Sequence, residues 1–368
     1  MNTDFGQLTA AQKRVWAATI WQAGRDQSFW FANGFIGSAK NTNSVIQRVT
    51  ELSETERGLE CVMQLVLDMQ GDGVVGDNEL TGNEEALVND VQTIRIDQLR
   101  HGVKSKGKMA EQATVIRFRD QAKDKLSFWL PDKLDELMFL TLSGRAFTLK
   151  TDGTTRTASQ LPQLRFAADV AAPTSNRILY AGSATGEGSL TTADKVTWNF
   201  LVSARARAER ARMRPIRDGG RNYYAIVLST EQARDLKLDP NYQTIASRAE
   251  RSGSKNPLFT GSITTVDGLT IHSHPKVFNT LGLAGATKWG SGNTVDGAQG
   301  LLLGAQAGGI ATLGNMFFEE SEITDYGNRP GTSVGRKIGM LKPQFKSVHD
   351  AGTRQDFGVI SLKTAAAA

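Results

Sequence analysis

The chain has 368 residues, of which 39% are hydrophobic and 22% are charged, and its formal net charge is +5. This balance excludes a disordered protein and predicts a globular chain of two or three compact regions. Its one cysteine, Cys61, excludes an internal disulfide and suits a reducing cytoplasm, and the N-terminus lacks the basic start and apolar run of a secretory signal.

Residues 1–60 are predicted to be mostly helical, with apolar residues at helical spacing. Aromatic and aliphatic side chains gather here: Trp16, Ile20, Trp21, Phe29, Trp30, Phe31 and Phe35. Such a cluster either docks on the core of its own chain or belongs to an arm that reaches a neighbouring copy. The sequence leaves both readings open.

Residues 61–100 predict a long β-hairpin with the arms CVMQLVLDM and VQTIRIDQL. The connection GDGVVGDNELTGNEEALVN is acidic and much longer than a tight turn. Basic residues lie at or soon after the second arm: Arg95, Arg100, Lys104, Lys106 and Lys108. The acidic tip can therefore pair with basic surfaces of another copy, or it can be a solvated loop. Cys61 lies in the first arm, where an apolar pattern predicts a buried, inert thiol.

The hairpin connection also carries a partial calcium-binding pattern. Its matches to the EF-hand loop are Asp68, Asp72, Gly73 and Glu79. Gln70 replaces a normal calcium ligand, and Gly76 leaves another ligand position without a side chain. The flanking segments predict strands, whereas an EF-hand needs helices. The sequence therefore disfavours a calcium site.

Residues 108–143 carry the strongest helical signal of the chain. Apolar residues recur at spacings near three, four or seven: Met109, Ala113, Ile116, Ala122, Leu126, Leu130, Leu134, Leu137 and Met138. We call this predicted helix the spine helix. Pro131 is expected to kink it or to begin a second helix.

Residues 144–190 show weak periodicity and predict loops and short strands. A second helix is expected to begin at Thr191 or Thr192 as the N-cap and to run to about Arg212. Residues 223–229 predict a buried strand and residues 230–236 a short helix, which together indicate an α/β region.

Residues 301–318 carry no charge, but their glycines dilute the hydrophobicity too much for a membrane span. A buried strand pair joined by a Gly-rich turn is the better interpretation. Further strands are expected at 317–326, 334–340 and 357–362. These C-terminal strands are predicted to return and pack on the spine helix.

The sequence HSHP places His272 and His274 two residues apart on a predicted strand, where both project to one face as zinc ligands can. JAMM metalloproteases carry a similar stretch, followed closely by an acidic ligand. Here the next acidic residue is Asp296. A zinc-dependent hydrolase that uses His272 and His274 is therefore an alternative, but the sequence lacks the nearby acidic ligand that such a site needs. Nucleophile elbows and phosphate-binding loops are also missing from the sequence.

A basic run interrupted by Glu209 and Asp218 spans residues 205–221. Its arginines are Arg205, Arg207, Arg210, Arg212, Arg214, Arg217 and Arg221. Aromatic residues do not interleave with them before Tyr223, which argues against stacking on single strands. The run can screen DNA phosphate, pair with acidic loops of other copies, or form a solvated helix face. A dedicated DNA-binding protein is a further alternative.

Several segments, in this order, resemble the phage major capsid family typified by coliphage N-four. They read GDGVVGDNELTGNEEAL, TIRIDQLRHGV, GKMAEQ, NPLFTGSITTVDGLTIHSHP, DYGNRPGTSVGRKIGMLKPQF and DFGVISL. With the spine helix they cover roughly residues 60–145 and 215–362. Residues 145–190 match no family segment and are expected to be an insertion.

The resemblance implies an α+β protein with the Hong Kong 97-type phage capsid fold. It implies an N-terminal arm with helices (1–60), an extended β-hairpin loop (61–100) and a peripheral domain with the spine helix (101–150). An insertion and connecting helix (151–221), an axial domain (222–310) and C-terminal strands that return to the peripheral domain (311–368) complete the expected organisation.

The expected function is that of a major capsid protein that self-assembles into pentamers and hexamers of an icosahedral head. The head would be assembled in the host cytoplasm and enclose double-stranded DNA through non-specific contacts. A portal and, in addition, decoration or scaffolding proteins are expected partners. Catalytic residues, cofactors, metals and a membrane are not expected. An encapsulin, which is a cellular compartment with the same fold, is the main alternative.

Overall fold

The computed structural model describes residues 28–38, 41–49, 58–66, 69, 71–85, 89–109, 118–250, 264–285, 288–321, 328–346 and 353–367. The predictions made for Trp16, Ile20, Trp21, Asp68, Gln70, Ala113 and Ile116, and for the end of the predicted strand at 322–326, fall outside these residues.

The described strands are β1 (Ile46–Val49), β2 (Glu60–Val66), β3 (Asn89–Arg95), β4 (Asp97–Lys104), β5 (Ile178–Tyr180), β6 (Ile216–Asp218), β7 (Arg221–Leu228), β8 (Thr264–Val266), β9 (Leu269–Ser273), β10 (Gly297–Leu303), β11 (Gly308–Ser321), β12 (Gly331–Leu341), β13 (Gln344–Lys346), β14 (Arg354–Asp356) and β15 (Val359–Ala365). The described α-helices are α1 (Phe29–Ala32), α2 (Phe118–Ser143), α3 (Trp198–Arg210), α4 (Thr230–Leu238) and α5 (Pro240–Glu250). Short 3₁₀ turns occupy much of residues 161–189 between them. In the described part of the chain, no helix has the length and apolar character that crossing a membrane requires.

Helix α2 is the described part of the predicted spine helix. It buries Leu126, Leu130, Leu134 and Leu137 and packs mainly against strand β12, with smaller contacts to β4 and β10. The predicted apolar spacing is therefore confirmed from Ala122 to Met138, whereas Met109, the first residue of the predicted series, is 83% exposed. The helix continues through Pro131, so the expectation that this proline begins a second helix is wrong. Proline removes one backbone hydrogen bond, but the buried leucines on both sides keep the two halves on the same sheet.

That sheet has the order β1-β11-β12-β4. Strand β1 pairs parallel to β11, and the long strands β11 and β12 pair antiparallel, with a bulge between Leu313 and Phe317. The prediction that residues 1–60 are mostly helical therefore fails at 46–49, where the chain pairs with β11 as a strand. The predicted strands near 317 and 334–340 are confirmed.

A second sheet has the order β5-β15-β10-β7-β9-β8, with β6 paired to β7. Helices α3 and α4 share an apolar cluster with this sheet. The buried strand and short helix predicted for residues 223–236 are confirmed as β7 and α4.

Two expectations about strand partners are wrong, the second only in part. Strands β10 and β11 do not form a hairpin but lie in different sheets. The residues between them bond elsewhere, because Ala305 N donates to Arg214 O and Gln306 N donates to Ser44 O. The predicted return of the C-terminal strands to the spine helix is confirmed for β12, which packs on α2, but not for the final strand, because β15 lies between β5 and β10 in the second sheet.

The second predicted helix begins later than expected. Thr197 is the N-cap of α3, and its side chain accepts from Phe200 N. Thr191 instead donates from its amide and hydroxyl to Asp194 Oδ2, at 2.7 and 2.8 Å, which closes a turn. Val196 is buried between the turn and the helix.

Residues 145–190 are irregular, as expected. Phe147, Leu164 and Phe166 are buried in the main apolar cluster, and β5 supplies an edge strand of the second sheet. The segment is therefore part of the core.

Candidate functional site

His272 and His274 lie together, as the two-residue spacing predicted, but their surroundings are aromatic. The ring of His274 stacks on Phe139 at a centroid distance of 5.0 Å, and Phe29 contacts both imidazoles. Burial lowers the pKa of His272, while burial and the nearby Lys276 charge lower that of His274 to about 4. Both rings are therefore neutral at physiological pH and pack as aromatic side chains.

Neutral imidazoles can bind zinc, but a zinc site needs further ligands. Among the described residues, no group of three or more His, Cys, Asp and Glu side chains is arranged to hold a metal ion. The His274 Nδ1 atom already accepts from Lys276 N at 3.2 Å. The geometry thus gives the two histidines a packing role beside the segment that begins at Ser28.

Asp135 anchors that segment to the spine helix. Ser28 Oγ donates to Asp135 Oδ1 at 2.6 Å, and Phe29 N donates to Oδ2 at 2.7 Å. Burial raises the pKa of Asp135 to about 6, even though both hydrogen bonds favour the ionised form. Trp30 and Phe35 then enter the core, so these aromatic residues dock on their own chain.

An open cleft of about 540 Å³ borders this anchor. Asp135, His274 and Lys276 line it, together with Phe128, whose exposed fraction is 54%. Lys276 pairs with Asp132 at the rim. Sequence reasoning missed Asp135, because a carboxyl one residue after Leu134 reads as an ordinary polar position of an amphipathic helix.

The predicted hairpin is confirmed, since β2 and β3 pair antiparallel from Glu60↔Arg95 to Val66↔Asn89. Cys61, Met63, Ile94 and Ile96 pack its base against Leu313 and Leu341 of the first sheet. The buried position of Cys61 agrees with the prediction of an inert thiol.

The loop beyond the hairpin is strongly exposed. Every residue from 71 to 85 is exposed except Val74, which is intermediate. Glu85 Oε2 accepts from Gly71 N at 2.6 Å, and Glu84 Oε2 accepts from Gly82 N at 2.7 Å. The flanking elements are strands, so the loop lacks the helices of an EF-hand.

The arginine run divides into paired and unpaired members. Arg205 forms ion pairs with Glu209 at 2.9 Å and with Asp267 at 2.6 Å, and Arg207 Nε donates to Asn176 O. Most of the remaining arginines lie on the surface around the end of α3 and the β6–β7 hairpin. The sequence located the run but could not separate these two groups.

A buried polar cluster joins three segments near the C-terminus. Lys342 Nζ lies 3.0 Å from Asp356 Oδ2, and both side chains are almost completely buried. Gln344 Nε2 and Thr174 N also donate to the Asp356 carboxylate. Burial lowers the pKa of Lys342, and Asp356 opposes that change. No sequence motif marks this cluster, because its members come together only through the fold.

In the described part of the chain, neither the buried polar clusters nor the histidine pair has the arrangement of a catalytic site, and a long acidic loop and a basic surface are exposed. A family profile described as phage capsid protein matches residues 4–368. The chain belongs to the phage capsid protein family. The major capsid protein of Pseudomonas phage KPP25 is 42% identical over 374 residues, covering 99% of this chain and 98% of that protein.

Solved structures agree with the family. The capsid of Ralstonia phage GP4 matches with a TM-score of 0.75 and 29% identity, covering 93% of this chain and 92% of that one. The capsid of cyanophage Pam1 matches with a TM-score of 0.70 and 22% identity over 100% of both chains. The protein is therefore a phage major capsid protein with a Hong Kong 97-type fold, a structural component of the virion and not an enzyme. The expected capsid identity and mixed α+β fold are confirmed.

Proposed function

We propose that this capsid protein assembles into pentamers and hexamers of an icosahedral head that encloses double-stranded DNA. The family membership supports a multi-subunit shell. Closed symmetry allows one fold to be repeated while thin contacts are summed over many copies. A portal, packaged DNA and decoration or scaffolding proteins are proposed partners.

The proposed division of labour follows the regions expected from the sequence. Residues 61–100 act as an extended hairpin loop and 101–150 as the peripheral domain with the spine helix. Of the arm expected at 1–60, residues 28–38 and 41–49 dock on this chain's own core, so an arm role is left to the residues before Ser28. Residues 222–310 supply most of an axial domain at the capsomer centre, to which residues 151–221 add β5, β6 and helix α3. Strand β15 pairs with β10, so the segment 311–368 contributes to both sheets.

The observation that carries the proposal is the hairpin. Its base is fixed by apolar packing, while its loop projects Val75 and Leu80 with exposed fractions of 79% and 59%. Ordering and exposing apolar residues on a long loop is unfavourable for an isolated subunit. A neighbouring subunit that covers the loop removes that cost, and the loop then links the two copies.

The hairpin loop is tested by replacing residues 71–85 with a short Gly-Asn linker and keeping β2 and β3 intact. We expect a soluble, folded protein that no longer forms regular shells, because the deletion removes exposed residues and leaves the packed base. Circular dichroism measures the fold, and electron microscopy of the purified protein measures the assembly.

A matched variant keeps the loop length and changes Asp72, Asp77, Glu79 and Glu84 to their amides. If the amide variant forms regular shells and the deletion variant forms none, the contact between the loop and a neighbouring subunit depends on loop length and apolar residues. If neither variant forms shells, the contact depends on the acidic charges of the loop. Normal shells from the deletion variant would contradict the assembly role of the loop.

An encapsulin, the main alternative, would assemble into a similar shell but would enclose cargo enzymes instead of DNA. The named relatives and solved structures belong to phages, and they favour a genome-containing head over a cellular compartment. The zinc hydrolase alternative is not favoured either, since His272 and His274 are packed among phenylalanine rings.

A further inference from the structure

Five arginines around the end of α3 and the β6–β7 hairpin form an exposed basic surface. We call this surface the arginine face; its members are Arg210, Arg212, Arg214, Arg217 and Arg221. Within the described part of the chain, none of the five pairs with a carboxylate, and Arg214 bonds to the neutral Gln306. Glu209, the nearest acidic residue of α3, is already paired with Arg205.

The backbone that carries the arginine face is held firmly. Asn43 bonds to both the amide and the carbonyl of Arg217, at 2.8 and 2.6 Å. The buried hydroxyl of Tyr224 donates to Met213 O at 2.9 Å. The guanidinium groups therefore project from fixed points.

The tip of the β6–β7 hairpin is open. Gly219 and Gly220 have φ angles of +54° and +79°, as a two-residue turn with two left-handed positions requires. A Cβ atom built on either glycine would meet nothing within 4 Å. A large rigid partner can therefore approach Arg217 and Arg221 closely.

Gathering five like charges does not help the subunit fold. Like charges repel one another at the surface, and here Asp218 is the only acidic residue between Arg210 and Arg221. Guanidinium groups bind phosphate oxygens through two parallel hydrogen bonds, and duplex DNA presents a regular row of phosphates. A polyanion would turn the unfavourable grouping into a favourable contact.

We propose that the arginine face binds the phosphate backbone of double-stranded DNA and is the subunit surface turned toward the enclosed genome. This assignment rests on the proposed function, because only an assembled head encloses DNA. Tyr223 is half-buried, so the face offers no exposed aromatic platform for unpaired bases. The chemistry fits a duplex bound without sequence preference.

The acidic loop of a neighbouring copy is a weaker candidate for the same surface. That loop exposes Val75 and Leu80, which need apolar partners. Among described residues, no large hydrophobic side chain between 205 and 221 is exposed. Docking the loop on the arginine face would pair its charges but leave its apolar residues uncovered.

The test compares DNA binding by the unassembled full-length protein, since a closed shell would hide an inward face, and by a variant with Arg210, Arg212, Arg217 and Arg221 changed to Gln. Fluorescence anisotropy of a labelled random-sequence duplex gives the affinity over a series of NaCl concentrations. We expect the slope of log affinity against log salt to fall by about 3 to 4, since each phosphate contact contributes close to one unit.

The matched control removes the same charge elsewhere, by changing the exposed residues Arg100, Lys104, Lys106 and Lys108 to Gln. Its slope should change by less than about 1. Equal loss in both variants, or no loss in the first, would overturn the proposal. The single variants Arg217→Gln and Arg221→Gln, each expected to lower the slope by about 1, serve if the quadruple variant does not fold.

Electron microscopy of the same proteins under assembly conditions separates this inference from the assembly proposal. Shells from the quadruple variant, with the reduced salt slope, support the DNA-facing assignment. If the quadruple variant forms no shells and its salt slope is unchanged, the arginine face is a contact between subunits. That result would overturn the DNA-facing assignment. Failure of the unmodified protein to form shells would contradict the proposed function, while the slope comparison still decides whether this face binds DNA.

Discussion

Asp135 shows how a single buried carboxyl can fix the position of a whole segment. Its two oxygens accept from Ser28 and Phe29, which holds the start of α1 against the spine helix. The sequence predicted that His272 and His274 would share a face but not that Phe29 would cover both. Spacing along a strand fixes direction, whereas the covering residue comes from a segment more than two hundred positions away.

Asp135 also predicts a pH dependence of stability. Burial raises its pKa from 3.8 to about 6, so the folded state binds the proton more tightly than the unfolded state. The stabilisation that protonated Asp135 gives the folded state is fully present below about pH 4, and it is lost as the pH rises through about 6. A shift of this size corresponds to roughly 2–3 kcal/mol in the free energy of unfolding.

Denaturant unfolding from pH 5 to pH 7.5 measures this effect, with Asp135→Asn as the comparison. The unmodified protein should lose stability relative to Asp135→Asn as the pH rises across this range. Lys276, Asp132 and His274 face the same site, but His274 titrates near pH 4, below the range. Parallel pH profiles for the two proteins would refute the assignment to Asp135.

At the scale of single elements, strong local sequence patterns were sufficient to predict where several helices and strands lie. The spine helix, the hairpin arms and strand β7 were all predicted from apolar spacing and β-branched content. The start of α3 was not, because several threonines precede it and each is a reasonable N-cap. Asp239, at the end of α4, settles the choice by accepting from Trp198 N at 2.6 Å, a contact that exists only after folding.

The cap assignment predicts different effects for two similar threonines. Thr197→Ala removes the hydrogen bond to Phe200 N and should lower the free energy of unfolding by about 1 kcal/mol. Thr192→Ala changes an exposed residue outside the helix and should stay within about 0.5 kcal/mol of the parent. Chemical denaturation of both variants measures the difference, and a larger loss for Thr192→Ala would contradict the observed helix start.

For the whole molecule, the sequence predicted the strands better than their partners. Residues 297–321 form two buried strands as expected, yet β10 and β11 lie in separate sheets. Apolar content predicts burial, but partner choice depends on contacts distant in sequence, such as Ala305 with Arg214 and Gln306 with Ser44. The family resemblance identified the architecture, and the position of β15 emerged only from the structure.

The position of β15 makes the C-terminus essential for folding. This strand lies between β5 and β10, and it buries Val359, Ile360 and Leu362 almost completely. Full burial of such side chains contributes about 1.5–3 kcal/mol each, while the net stability of a domain is about 5–15 kcal/mol. Truncation after Asp356 removes all three residues and leaves β5 and β10 without their shared partner.

We therefore expect the protein truncated after Asp356 to be unfolded or aggregated, with no cooperative thermal transition by circular dichroism. The variant lacking residues 71–85 loses a similar number of residues but should retain a cooperative transition, because it removes exposed chain. A folded truncated protein would mean that the second sheet closes without β15. It would also place the C-terminal strand outside the folding core, contrary to its central position between β5 and β10.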